Sequence, residues 1–253
     1  MVVTVINSSP REKGITKSLL DSFIDGLKSE SAIVNVFSLH ENKMKFCDGC
    51  FRCWYMHPAK CKIKDNFNTI YAAIISSDYL LLASPIYGMM INGSMKTFLD
   101  RLSMVSHLPY FLVDEETKKM TKPMQDHIPP TIIVMVGNMA GKEIFDAASY
   151  YFDEFFRITD TNIAVKILRC QSELLSKPIL ENKKQEVYRA MYNGGKEFAK
   201  FGRIIGETHL QIEQELLGTE HFVQGHNMFW KICKHKNIAP HNLDFEQYPI
   251  LKI

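Results

Sequence analysis

Two hydrophobic periods alternate along this chain: short, mostly β-branched runs and longer stripes at helical spacing. Val2–Ile6 reads as a buried strand, and Asn7–Gly14 after it is rich in turn formers. Ile15, Leu19, Leu20, Phe23, Ile24 and Leu27 then recur as one face of a helix. The rhythm repeats with a second strand over Ile33–Phe37 and a helix over Asn66–Ile75. A third strand, Tyr79–Ala83, is nearly all apolar, as expected of a strand covered on both faces. The helix Gly93–Val105, a fourth strand Thr131–Val136, the aromatic-rich helix Lys142–Arg157 and a fifth strand Ile163–Leu168 complete the series.

Five strands alternating with helices predict an α/β fold, a doubly wound, five-stranded parallel sheet. Residues 107–130 form a long connection with prolines at 109, 123, 129 and 130, of the kind used as lids or partner-binding loops. Beyond about Glu181 the pattern is helical only. Val187–Ile205 reads as a helix interrupted at Gly194–Gly195, with further helices over Thr208–Leu217 and Thr219–Ile232. The expected division is an α/β domain over 1–180 and a helical C-terminal extension over 181–253.

Composition narrows the function by exclusion. Lysine and arginine exceed aspartate and glutamate by only two, so no electrostatic footprint for nucleic acid is present. No apolar run is long enough to span a bilayer. The opening MVVTVINSS lacks the basic region and apolar stretch of an export signal, so a cytoplasmic chain with reduced thiols is expected.

That setting changes the meaning of Cys47, Cys50, Cys53 and Cys61, in the pattern C-x2-C-x2-C-x7-C. Four soft, anionic donors on one short loop suit a metal centre better than disulfides. Gly49 eases the turn between the first two. An iron–sulfur cluster, a four-thiolate zinc site and a metal-free loop are all open on spacing alone. Cys170 and Cys233 stand apart and read as ordinary thiols.

Two further loops carry candidate chemistry. In NSSPREKGIT the chain leaves the first strand and enters a helix, whose N-terminus favours an anion. Ser8, Ser9 and Thr16 offer hydroxyls, Arg11 a charged fork, and Gly14 a permissive backbone. The loop is neither G-x-G-x-x-G nor a nucleoside-triphosphatase P-loop. SPIYGMMING follows the third strand. Pro85 sets its path, Tyr87 can stack on a flat ring, and Gly88 allows close backbone approach. First and third strands lying side by side would bring both loops to one crevice.

NSSPREKGITKSLL and SPIYGMMINGSMKTFLDRL resemble the two flavin loops of the flavodoxin-like NAD(P)H-dependent FMN reductases, and the cysteine loop resembles the iron–sulfur flavoprotein branch. The resemblance covers about residues 1–175 and implies the strand order 2-1-3-4-5. It implies Ser8, Ser9, Arg11, Gly14, Ile15 and Thr16 at the FMN phosphate, and Pro85, Ile86, Tyr87 and Gly88 around the isoalloxazine, with Gly137 and Asn138 at its edge. Ile15 and Gly88 depart from the residues common there, an Asn and an aromatic. The same resemblance implies a [4Fe–4S] cluster on Cys47, Cys50, Cys53 and Cys61, NAD(P)H as electron donor, an unidentified acceptor, and a homodimer or tetramer. Two alternatives accompany it: a cluster-free quinone, azo or nitro reductase, and a non-enzymatic electron carrier or zinc-stabilised binding module.

Overall fold

The computed structural model describes residues 1–105, 112–121, 126–177 and 180–239. Its centre is a sheet of five parallel strands: β1 (Val2–Asn7), β2 (Ile33–Ser38), β3 (Tyr79–Tyr87), β7 (Thr131–Val136) and β8 (Ile163–Arg169). Their spatial order is β2-β1-β3-β7-β8. Counting only these five, this is the expected 2-1-3-4-5. The short strand β4 (Met90–Ile91) pairs antiparallel with the end of β3, and β5 (Leu112–Val113) pairs with β6 (Met120–Thr121) in a separate hairpin. This hairpin occupies part of the long 107–130 connection; the prolines at 109 and 123 lie outside the described residues.

Helices cover both faces. On one lie α1 (Ile15–Ser29) and α6 (Glu181–Phe201), packed with Val3, Val5, Leu81, Ile132 and Val134 of the sheet. On the other lie α3 (Phe67–Ile75), α4 (Gly93–Leu102) and α5 (Asp146–Ile158), packed with Ile6, Leu80, Leu82, Ile133 and Met135. Successive residues of β3 and β7 thus feed opposite cores, which is why both strands are apolar throughout. The short helix α2 (Arg52–Tyr55) sits within the cysteine loop. After α6 come α7 (Gly206–Ile212) and α8 (Thr219–Lys236).

Three expectations are corrected. Gly194–Gly195 does not interrupt a helix: α6 runs unbroken from Glu181 to Phe201. The glycines are there for packing. A Cβ at Gly195 would lie 2.0 Å from the Phe23 carbonyl oxygen, and one at Gly26 would lie 1.9 Å from that of Tyr192. Two glycine notches let α1 and α6 approach backbone to backbone. Second, β3 continues four residues past Ala83 to Tyr87, because the chain turns straight back into β4. Gly88 (φ +56°) and Met89 (φ +64°) form the two-residue turn, the left-handed pair that a tight hairpin requires. Third, Lys142–Phe145 is a 3-10 turn, and the α-helix begins at Asp146.

The outer edge of β8 is closed by the segment around α7. Glu213 accepts from the Leu168 backbone N–H at 2.7 Å. Arg169 donates to the carbonyl of Ile212 at 2.8 Å, at the negative end of α7. Gln171 donates to the Leu217 carbonyl and accepts from the N–H groups of Leu216 and Leu217. The Leu168 N–H on that edge is thereby satisfied, and the side chains of Arg169 and Gln171 tie the α7 segment to the end of the strand. Among the described residues, no helix is long and apolar enough to cross a membrane.

Candidate functional site

Three loops leave the carboxyl ends of the adjacent strands β1, β3 and β7, so strand order alone gathers them at one rim of the sheet. The first two are also bonded to each other. The Ser8 N–H and Oγ both donate to the Ala83 carbonyl at 3.0 Å. From the far side, Asn92 Nδ2 donates to the Ser8 carbonyl at 2.6 Å. Asn92 also caps α4, accepting from the Met95 N–H at 3.0 Å, and its own N–H donates to Ser84 Oγ. One side chain therefore fixes the first loop against the start of the helix that follows the second.

In the first loop, Ser8, Ser9 and Thr16 are buried and Arg11 is exposed. The Ser9 N–H donates to Asn7 Oδ1 at 2.9 Å, and the Gly14 N–H to the Arg11 carbonyl at 3.1 Å. Helix α1 opens after Gly14 with no side-chain cap and no acidic residue in its first turn. Such an N-terminus, including the Ile15 and Thr16 amides, suits an anion. The reason for Gly14 is not the one expected. Its backbone is extended (φ −82°, ψ 158°), which any residue can adopt. A Cβ there would fall 2.9 Å from Arg11 Cβ, so the tight fold of the loop demands glycine.

In the second loop, Pro85 pairs with Val136, and Ile86 and Tyr87 pair with Ile91 and Met90. Ile86 is buried; Tyr87 is 49% exposed and stands at the rim without a core to fill. Nothing lies within 4 Å of where a Gly88 Cβ would be. Its positive φ, rather than crowding, accounts for glycine at the turn.

The third loop is the least available. The Gly137 N–H donates to the Arg169 carbonyl at 2.9 Å, and the Gly137 carbonyl accepts from the Ser172 N–H at 3.0 Å. Asn138 is engaged with Glu173 in both directions, at 3.0 and 3.1 Å. Its amide is thus occupied within the chain.

The cysteine loop lies beside the second core. Cys53 and Cys61 are half-buried against the aliphatic and aromatic cluster of α3 and α4, while Cys47 is exposed. Gly49 has φ +62° and turns the chain between Cys47 and Cys50. Burial, and then the neighbouring Cys61, push the Cys53 thiol up to about 11, with Cys50 and Cys47 adding in the same direction. The four sulfurs thus share one electrostatic neighbourhood. Among the described residues, no three His, Cys, Asp or Glu side chains stand in a metal-holding arrangement. The donor set, four thiols on one loop, has the soft chemistry of an iron–sulfur or zinc centre. Cys170 and Cys233 are buried free thiols, and His57 is exposed.

Sequence reasoning passed over three residues that organise this rim. Asn92 carried a legible signal, an Asn directly before a helix. Asn68 and Arg101 carried none, since their partners lie on the cysteine loop, seven and tens of residues away.

The family model described as NADPH-dependent FMN reductase matches residues 1–141, more than half of the chain. An iron–sulfur flavoprotein of Clostridioides difficile is 34% identical over 108 residues, covering 42% of this chain and 47% of that protein. One from Archaeoglobus fulgidus is 30% identical over 104 residues, covering 41% and 46%. The chain thus spans about half the length of the curated relatives it matches. A solved structure, the NAD(P)H:quinone oxidoreductase of Methanothermobacter marburgensis, superposes with a TM-score of 0.58 at 11% identity, covering 78% of this chain and 96% of that one. This last likeness concerns the fold alone.

Proposed function

Since the chain belongs to the NADPH-dependent FMN reductase family, we propose that it binds FMN at the rim of β1, β3 and β7 and moves electrons from NAD(P)H to an acceptor. The observation that carries this reading is the tie between the first two loops, Asn92 to the Ser8 carbonyl and Ser8 to the Ala83 carbonyl. It joins an anion-favouring helix N-terminus to a hairpin with an exposed aromatic. A phosphate on the first element and a flat ring on the second would be held at a fixed separation.

The roles of the chain's own groups follow. The uncapped N-terminus of α1 and the hydroxyls of Ser9 and Thr16 would hold the phosphate, and the exposed Arg11 would offer it a charged fork. Pro85, Ile86, Tyr87 and Gly88 form the ring wall. From the third loop the small Gly137 would leave room at the ring edge, while the Asn138 side chain is bound to Glu173. Bound FMN itself supplies the exchange between a two-electron donor and a one-electron acceptor.

We assign Cys47, Cys50, Cys53 and Cys61 as the ligands of an iron–sulfur cluster, supported by the four-thiol donor set and by the relatives named iron–sulfur flavoprotein. The working protein is a homodimer or tetramer in this reading. The cluster-free quinone, azo or nitro reductase is the second reading, favoured by the lack of a metal-holding arrangement among the described residues. Steady-state oxidation of NADPH and NADH with FMN and a quinone acceptor tests the shared activity. Turnover of either nucleotide supports it; none with any acceptor contradicts it. Iron and acid-labile sulfide assays divide the two readings.

A further inference from the structure

The cysteine loop is closed at its neck by a residue outside it. Arg101, on α4, is 2% exposed. Its Nη2 donates to Asp65 Oδ1 at 2.9 Å, and its Nη1 to Asp65 Oδ2 and to the Lys45 carbonyl, the latter at 3.1 Å. The Lys45 N–H completes the knot, donating to Asp65 Oδ2 at 3.0 Å. Lys45 and Asp65 bracket the four cysteines, so one guanidinium joins both ends of the loop. The ring of Phe67 covers its face at 4.2 Å.

The last of the thiols, Cys61, lies four residues before the Asp65 that this guanidinium holds. Burial opposes the Arg101 cation, but Asp65 and then the nearby Cys61 outweigh this and hold its pKa above the ordinary value. Asn68 of α3 holds the Cys61 backbone from the other side, accepting from its N–H and donating to its carbonyl, both at 2.9 Å. Trp54 Nε1 pins the middle of the loop to the Ser103 carbonyl at 3.2 Å. Arg101 Nε is buried and has no partner within the chain.

We propose that Arg101 is a positioning residue for the metal centre: its fork fixes the neck of the cysteine loop and holds a buried cation at the Cys61 end of that loop. This rests on the reading of the loop as an iron–sulfur site. Hydrogen bonds to cluster sulfurs and nearby positive charge favour the reduced, more negative state and so raise the potential. Arg101 is buried, so water screens it little. Lysine cannot replace it fully, since an ammonium lacks the bidentate fork that Asp65 receives.

The test uses the full chain purified without oxygen, with iron and sulfide content and a spectroelectrochemical titration as readouts. In Arg101→Gln the cluster is retained, and the ratio of reduced to oxidised centre at the wild-type midpoint falls about tenfold, which is about 59 mV for one electron. Arg101→Lys recovers part of that loss. If Arg101→Gln does not fold, Arg101→Lys alone decides, with an intermediate fall expected. A loaded variant with the wild-type midpoint overturns the role of Arg101 and leaves the cluster reading intact. Wild-type protein without iron or acid-labile sulfide overturns the cluster reading, and this inference with it.

Discussion

Asn92 Nδ2 lies 2.6 Å from the carbonyl oxygen of Ser8, 84 residues earlier in the chain. The same side chain caps α4 through its Oδ1. Asn92→Ala therefore removes a helix cap worth about 0.5–2 kcal/mol and a buried hydrogen bond worth about 0.5–1.5 kcal/mol. The expected sum is a loss of about 2 kcal/mol in urea unfolding, with weaker FMN binding. Asn92→Asp keeps the cap acceptor but not the donor to Ser8. Its FMN affinity falls as well, while α4 keeps its cap.

Gly195→Ala tests the contact between α1 and α6. Helix propensity alone would favour alanine by about 1 kcal/mol. The new methyl group would sit 2.0 Å from the Phe23 carbonyl oxygen, on backbone that cannot swing aside. Overpacking of this kind costs about 1–3 kcal/mol or more, so the urea midpoint falls. An unchanged or raised midpoint would show that the two helices are not held this closely.

Gly88→Ala tests the hairpin at the ring wall. No atom obstructs the methyl group, so the cost is conformational only, about 1 kcal/mol for a left-handed L-residue. Gly88→Asn costs less, because Asn tolerates that region. Equal losses for the two variants would point to crowding instead.

The pair His209–Glu213 gives stability a pH dependence. Its Nε2 to Oε1 separation is 3.0 Å, and the hydrogen bond His209 donates to Glu213 raises the His209 pKa against the effect of burial. A raised folded-state pKa adds stability that is complete below the unfolded value, about 6.5, and is lost as pH climbs through the folded value. Glu213 has the opposite sense. Burial raises its pKa, but bonds from His209, Lys142 and the Leu168 N–H outweigh this and lower it, so its contribution is lost as pH falls through the folded value. The melting temperature of the wild type thus declines, relative to His209→Gln, which lacks that titration, as pH rises above the ordinary histidine value of about 6.5. Coincident slopes for the two proteins would contradict the pairing.

The sheet was legible in the chain because apolar strands buried on both faces read as unbroken runs, as Thr131–Val136 does. The positions of the loops after β1 and β3 were legible for a related reason: each is a local segment between one strand and one helix. What was hidden depends on contacts distant in sequence. Gly194–Gly195 looks like a helix breaker until Phe23 is known to cross it. Gly14 and Gly88 were correctly marked as special, yet for other physical reasons, one for crowding by Arg11 and one for a positive φ. Arg101 lies in an ordinary amphipathic helix, and only the folded chain brings Asp65 and Lys45 to it.

The most direct measurement is the cofactor content of the full chain purified without oxygen, read from its visible spectrum and by FMN, iron and sulfide analysis. The account predicts stoichiometric FMN, bound or readily taken up, together with a broad iron–sulfur absorbance that reductant bleaches. A colourless protein that takes up no FMN when titrated with it would contradict the shared rim at β1 and β3 as a flavin site.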